Sequence, residues 1–346
     1  MGCSIRSLRV IEFSLPYTGK PPPHGSNLNA TLDHMNAALN DCDENSPFRL
    51  ENEGAYRVWR ARKLESRRLL DAQHVFAIDS DVVLPQPLRE RLRRQVDAFN
   101  FVIFATGSVV DKRGFIAINR QFGLTQIDSS PGADADSVTS LRVLDDADER
   151  AQYIPYTNRA LNWHTDGYYN PHGRSINAFA LYCVNQAVRG GGNYLFDHEL
   201  MYILIRDQSP ELLAALMADD MMRIPPNIQN NRVVRAEESG PVFSIQPGNC
   251  MLNMRYTSRP RNIVWKSDKR SERALNLVRE ILMDGAAGVE LRLQPGQGVI
   301  CNNLLHGRQA FHDDASQPQR LIFRARYYDA IDLESGLDLQ PAGYQG

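Results

Sequence analysis

From residue 160 onward the chain is written mostly in short strand-like segments, and this pattern constrains its fold more than any other feature. SINAFALYCVN (175–185) and GPVFSIQP (240–247) have the branched and aromatic content of strands. VELRLQP (289–295) and GVICNN (298–303) are joined by the turn PGQG, and RLIFRARYYD (320–329) follows. Two helices interrupt the series: SPELLAALMADDM (209–221), with Ser209 as N-cap and Pro210 in the first turn, and SERALNLVREILMDG (271–285), with Ser271 as N-cap and Gly285 as its stop. A doubly wound sheet needs regular strand–helix alternation, which is missing. The pattern predicts a mainly β fold with flanking helices and a double-stranded β-helix, or jelly-roll, core.

Ahead of these strands, PLRERLRRQVDAF (87–99) reads as a helix, with Pro87 in its first turn and Leu88, Leu92, Val96 and Phe99 on one face. It runs into NFVIFATG (100–107), a strand ended by glycine. Residues 1–80 are the least legible. Loops rich in Pro, Asn and Asp (16–53) precede RVWRARKLESRRLL, which reads as the solvated face of a helix. We therefore expect an N-terminal extension over 1–80 and one continuous globular unit over 81–346.

A formal net charge of -2 gives no electrostatic reason to expect nucleic acid or a membrane surface as partner. No apolar run approaches the roughly 18 residues that span a bilayer, and the first thirty residues carry PPPHGSN rather than a secretory core. The five cysteines, Cys3, Cys42, Cys183, Cys250 and Cys301, are scattered and form no CxxC pair. That argues against a disulfide framework or a thiolate zinc site, and for a reducing, cytoplasmic compartment. Cys183 and Cys301 sit in apolar runs and read as core residues. The expected partner is a small molecule, with homo-oligomer formation left open.

NWHTDGYYN (162–170) places His164 and Asp166 two positions apart. On an extended chain both project to one side while Thr165 points away, so the pair can take adjacent positions on one ion. Alone, such a pair reads by default as a hydrogen-bonded His–Asp contact. His306 in NNLLHGRQAF, two residues past a predicted strand, is the best third ligand. Two imidazoles and one carboxylate on one face of an octahedral ion leave three positions open, as in non-haem Fe(II) oxygenases. Arg320 and Arg324 have even spacing and face one side of a strand. Either they are surface arginines or they supply the bidentate cation that a dicarboxylate co-substrate requires.

With these residues in place, the chain resembles the Fe(II)/2-oxoglutarate-dependent dioxygenases of the TauD/TfdA family. The resemblance rests on NWHTD, GGGN (190–193), PGQGVICNNLLHGRQAF (295–311) and PQRLIFRAR (318–326), and spans about residues 95–330. HTDGYY, GGGNYLF and NNLLHGR look closest to its glutarate hydroxylase (CsiD) branch. The resemblance implies that His164, Asp166 and His306 bind Fe(II) and that Arg320 grips the distal carboxylate of 2-oxoglutarate. It places Arg324 near the chelating end or on an anionic substrate. Asn193 stands where many relatives carry a threonine that helps hold the co-substrate. It further implies O2 consumption, release of succinate and CO2, and hydroxylation of a small anionic or zwitterionic molecule rather than halogenation, because the carboxylate ligand is present; desaturation, ring closure and epimerisation stay open with the same ligands. Tyr168, Tyr169 and Arg255 are the substrate candidates, with Arg259 and Arg261 in the same run. His172 reads as a turn residue, His198 as a helix cap or solvent-exposed, and His312 as a loop residue near the entrance. A zinc- or cupin-type metalloenzyme with the same ligands and a non-catalytic jelly-roll binding protein are the competing readings. The zinc reading leaves both arginines without a role.

Overall fold

Eight strands alternate between two facing antiparallel sheets in the order that defines a jelly roll. Thr139–Leu141, Ala178–Asn185, Gln297–Cys301 and Leu321–Tyr327 lie in the major sheet. Leu161–His164, Asn193–Phe196, Val289–Leu291 and Leu305–Arg308 form the minor one. Phe101–Ala105 pairs antiparallel with Gln297–Cys301, and Val75–Ala77 adds a parallel edge strand. These relations come from a computed structural model that describes residues 46–129, 133–145, 147–171, 173–229, 232–246, 249–259 and 263–334.

The space between the sheets is filled by one face of each. Phe179, Leu181 and Cys183 from the major sheet meet Leu195, Leu291 and Leu304 from the minor side. Each outer face is covered by helices. Helices α1 (Glu53–Leu69), α2 (Gln86–Phe99), α3 (Lys112–Arg120), α4 (His198–Gln208), α5 (Pro210–Leu216) and α6 (Lys269–Asp284) follow one another along the chain. Leu92 and Val96 of α2 and Phe115 and Ile118 of α3 pack on Phe104, Tyr182 and Phe323 of the major sheet. Helices α4, α5 and α6 belong to an insertion between the fourth and fifth jelly-roll strands. They bury Met201, Tyr202, Leu213, Leu275 and Val278 with Phe196 and Leu305 of the minor sheet, and Tyr56 of α1 joins them.

Several sequence expectations change in detail. PGQG is a turn, but it carries the chain from the minor to the major sheet rather than closing a hairpin. Asp268, not Ser271, caps α6, accepting from the Arg270 and Ser271 amides at 2.9 Å each. The basic stretch does form α1, yet Lys63 on it is buried, because acidic partners from α4 reach it. His198 is buried and bonds the Leu252 carbonyl, while His312 lies on a short strand. Cys183 and Cys301 are free and buried, whereas Cys250 is disulfide-bonded, a bond its isolated position did not announce. Among the described residues, no helix is long and apolar enough to cross a membrane. His172 and Arg261 lie outside the described residues.

Candidate metal centre

His164 ends the strand Leu161–His164, and His306 follows the strand Gln297–Cys301 as expected but lies inside a further one, Leu305–Arg308. The two histidines are register partners, so their rings project to the same face and stand 4.2 Å apart. Alternation sends Trp163 to the other face, against Tyr194 and the helices. Gly307 is required there, because a Cβ would come within 2.1 Å of the Tyr194 ring. Asp166 follows one residue after Thr165. The chain then turns sharply at Gly167, whose φ of +63° and closeness to Ile176 exclude a side chain.

One ligand atom from each of His164, Asp166 and His306 lies within 4.8 Å of the others, and all three residues are buried. His164 Nδ1 is 2.9 Å from the Asn162 carbonyl and His306 Nδ1 is 3.0 Å from the Leu304 carbonyl. A carbonyl can only accept, so each imidazole carries its proton on Nδ1 and offers an unprotonated Nε2. Burial, reinforced by His306, pushes the His164 pKa down to about 3, and burial lowers that of His306 as well. Asp166 Oδ2 is buried without a hydrogen-bond partner. Burial alone would raise its pKa, but Arg324 and Arg326 hold the carboxyl well below the usual carboxylate range. Two neutral imidazoles, an ionised carboxylate and an orphaned oxygen fit a divalent cation, since an unpaired buried carboxylate oxygen is otherwise costly.

The sequence candidates fall around this cluster in distinct ways. Arg324 Nη1 stands 3.7 Å from Asp166 Oδ1, and its Nε is buried without a partner. Arg320 precedes the same strand and is buried against Phe311, with its guanidinium carbon 4.9 Å from the ring centroid. Its Nη1 has no partner, and burial lowers its pKa to about 10. Asn193 is buried opposite Arg308, on the face that His306 shares, and its Nδ2 is 3.4 Å from the Gly307 carbonyl. Tyr168 and Tyr169 are half-buried, with edge-to-face rings 5.2 Å apart. Arg255 turns from the ligands to clasp the Tyr168 carbonyl with Nε and Nη2, at 3.1 and 2.9 Å.

Other residues of the site were not singled out by the sequence. Asn303 accepts from the Asp166 amide at 2.8 Å and donates to the Asp166 and Ile176 carbonyls. Arg326, buried two positions after Arg324, pairs with Asp128 and donates to the Tyr169 hydroxyl at 3.1 Å. Continued even spacing along RLIFRARYY was the available signal for it. Phe179 lies 4.3 Å from the His306 ring and excludes water from that side.

A buried two-histidine, one-carboxylate cluster between the sheets of a jelly roll is a candidate mononuclear metal site. Residues 62–326 match the family described as taurine catabolism dioxygenase TauD, TfdA family, and the chain belongs to that family. Two uridine-5'-phosphate dioxygenases are similar in sequence. That of a Streptomyces species is 32% identical over 181 residues, covering 51% of this chain and 64% of that protein. That of an Amycolatopsis species is 29% identical over 174 residues, covering 49% and 61%. The matched stretch thus spans less than two-thirds of either relative. Among solved structures, the non-heme iron oxygenase OrfP, in complex with Fe and alpha-ketoglutaric acid, shares the fold. Its TM-score is 0.51 at 14% identity, over 78% of this chain and 91% of that one.

Proposed function

We propose that the protein is an Fe(II)- and 2-oxoglutarate-dependent dioxygenase that hydroxylates a small anionic molecule, with release of succinate and CO2. The observation that carries this reading is the coexistence of the His164–Asp166–His306 cluster with a buried, partnerless guanidinium nitrogen on Arg320. A metal centre alone serves many reactions. A metal centre with a buried cation that lacks an anion suits a chelating dicarboxylate. A zinc hydrolase built on the same ligands leaves Arg320 without a role.

Fe(II) and 2-oxoglutarate are the cofactors, and once bound they activate O2 toward an unactivated C–H bond. His164 and His306 would hold the ion through Nε2, and Asp166 through its orphaned Oδ2. Arg320 donates to the distal carboxylate of 2-oxoglutarate, with the Asn193 amide on the same sheet face as His306. Arg324, beside Asp166, would orient the co-substrate carboxylate that chelates the metal. Tyr168 and Tyr169 wall the substrate side. The glutarate hydroxylase-like motifs and the uridine-5'-phosphate dioxygenase relatives both speak for a small anion as substrate, a dicarboxylate in one case and a phosphate ester in the other.

Anaerobic addition of Fe(II) and 2-oxoglutarate should produce a weak visible charge-transfer band. Absence of the band, with no 2-oxoglutarate consumed across a panel of small carboxylates and phosphate esters, rejects the reading. Arg320→Ala should raise the 2-oxoglutarate concentration for half-saturation of that band tenfold or more. A lost charge-assisted pair costs about 1.5–3 kcal/mol. An unchanged requirement removes Arg320 from this role.

A further inference from the structure

The last strand of the major sheet anchors a series of hydrogen bonds whose direction is fixed at every link but one. Arg326 is the register partner of Phe179, and Phe179 lies 4.3 Å from the His306 ring. Residues opposed in an antiparallel pair share a face, so Arg326 points into the space between the sheets. Arg324, two positions earlier on that face, brings its Nη1 within 3.7 Å of Asp166 Oδ1. Arg326 Nη2 pairs with Asp128, and Nη1 donates to the Tyr169 hydroxyl oxygen at 3.1 Å. The second Asp128 oxygen accepts from the Tyr328 hydroxyl at 2.5 Å, and the Tyr328 oxygen accepts from Arg174 Nη2 at 3.0 Å.

A guanidinium only donates, and a carboxylate ion-paired with one only accepts. The Tyr328 proton is therefore committed to Asp128. The Tyr169 oxygen is committed as an acceptor to Arg326, so its own proton points elsewhere, and among the described residues no acceptor takes it. The loop keeps this phenol in place. The Asn170 amide closes the turn onto the Gly167 carbonyl at 2.8 Å, and Asn170 Nδ2 reaches the Arg174 carbonyl at 3.0 Å. Arg255 clasps the Tyr168 carbonyl from the other side, and the Tyr168 ring braces that of Tyr169 edge to face. A fixed donor beside the metal cluster, with no protein acceptor, suits a ligand oxygen. Hydrogen bonds in series polarise one another, and a phenol fed by a guanidinium suits an acceptor that carries negative charge.

We infer that the Tyr169 hydroxyl is the donor that holds an oxyanion of the prime substrate, a carboxylate or phosphate oxygen, and that Arg326 and Asp128 are positioning residues that set its direction. The inference rests on the oxygenase reading and deepens it: Tyr169 selects the substrate by an anionic oxygen, while its own oxygen is engaged by Arg326.

The test compares wild type with Tyr169→Phe, Arg326→Lys and the double variant, all loaded with Fe(II) and 2-oxoglutarate under anaerobic conditions. Glutarate, uridine 5′-phosphate and uridine are titrated separately, and binding is read from the change in the visible band and from isothermal calorimetry. Wild type should bind at least one of the two anions, and which one it binds distinguishes carboxylate from phosphate. Tyr169→Phe should weaken that anion tenfold or more, while the 2-oxoglutarate requirement of the band stays at the wild-type value. Arg326→Lys keeps a charge opposite Asp128 but loses the fork that serves Asp128 and Tyr169 together. It should weaken the anion severalfold on its own and add nothing to Tyr169→Phe. A Tyr169→Phe variant with full anion affinity overturns the role of Tyr169, and additive losses in the double variant overturn that of Arg326. A wild type that forms the band but binds neither anion, or binds uridine as tightly as its phosphate, overturns the oxyanion assignment. A wild type that gives no band at all refutes the oxygenase reading instead, so the two failures are distinguishable.

Discussion

The Asn303 carboxamide takes the Asp166 amide proton at 2.8 Å and donates to the Asp166 and Ile176 carbonyls at 2.9 and 2.7 Å. It thus fixes the turn that aims the carboxylate at the two histidines. Asn303→Ala leaves these buried backbone groups unpaired, a cost of about 1–3 kcal/mol. Supports of this kind also set ligand orientation, so affinity for Fe(II) or Co(II) should fall about tenfold or more. Denaturant melts read the first effect and Co(II) absorbance titration the second. A variant that is destabilised but binds Co(II) normally would make Asn303 purely structural. His164, Asp166 and His306 were legible because strand alternation and chain order are written locally. Asn303 was not, since its role depends on a partner 137 positions away. The sequence offered Arg255 as a substrate candidate and gave no sign of its clasp on the Tyr168 carbonyl, because side-chain direction is not encoded by residue type.

Helix α1 shows the same limit for whole elements. Its basic sequence predicts a solvated face, and Arg57 and Arg68 do form exposed pairs with Glu53 and Glu65. Lys63, however, meets Asp197 at 3.0 Å and Glu199 at 2.5 Å. Arg67 reaches Asp197 and the Ala98 carbonyl at 2.9 Å each, and Asn100 donates to both acids. This buried network joins α1, the end of α2 and the start of α4, and Asp197 and Glu199 lie 130 and 136 positions from Arg67 and Lys63 respectively. Breaking a buried pair by removing one partner costs about 3–5 kcal/mol. Lys63→Met should therefore lower stability by that order in denaturant melts, and a loss under about 1 kcal/mol would mean the pair is effectively solvated. Burial alone would raise the Asp197 pKa, but Lys63 and Arg67 hold it well below the ordinary range. A carboxyl depressed in the folded state contributes stability above its unfolded value, near 3.9, and loses it as pH falls toward the folded value. Wild-type stability should thus drop on acidification below about pH 4, and that drop should be shallower in Lys63→Met.

At the scale of the molecule, the jelly roll was legible because its strands are short, apolar and unaccompanied by regular helix alternation. The distribution of those strands between two sheets was not, because PGQG carries no mark of whether it closes a hairpin or crosses over. That distribution matters for function. His164 and His306 belong to the minor sheet, whereas Arg320 and Arg324 come from the last strand of the major sheet and the residue before it. If, as proposed, the ion holds one end of the co-substrate and Arg320 the other, the co-substrate would bridge the sheets, and its binding energy would also be folding energy. At ligand concentrations 100 times the dissociation constant this linkage is worth about 2.7 kcal/mol. Thermal melts under anaerobic conditions should show a modest rise with Fe(II) alone and a further rise of several degrees when 2-oxoglutarate is added. In metal-free protein the 2-oxoglutarate increment should be small, since only the Arg320 end would be held, and in Arg320→Ala the increment should shrink even with Fe(II) present. Equal stabilisation by 2-oxoglutarate with and without the metal would mean that the anion binds away from the His164–Asp166–His306 cluster, and the bridge between the sheets would not exist.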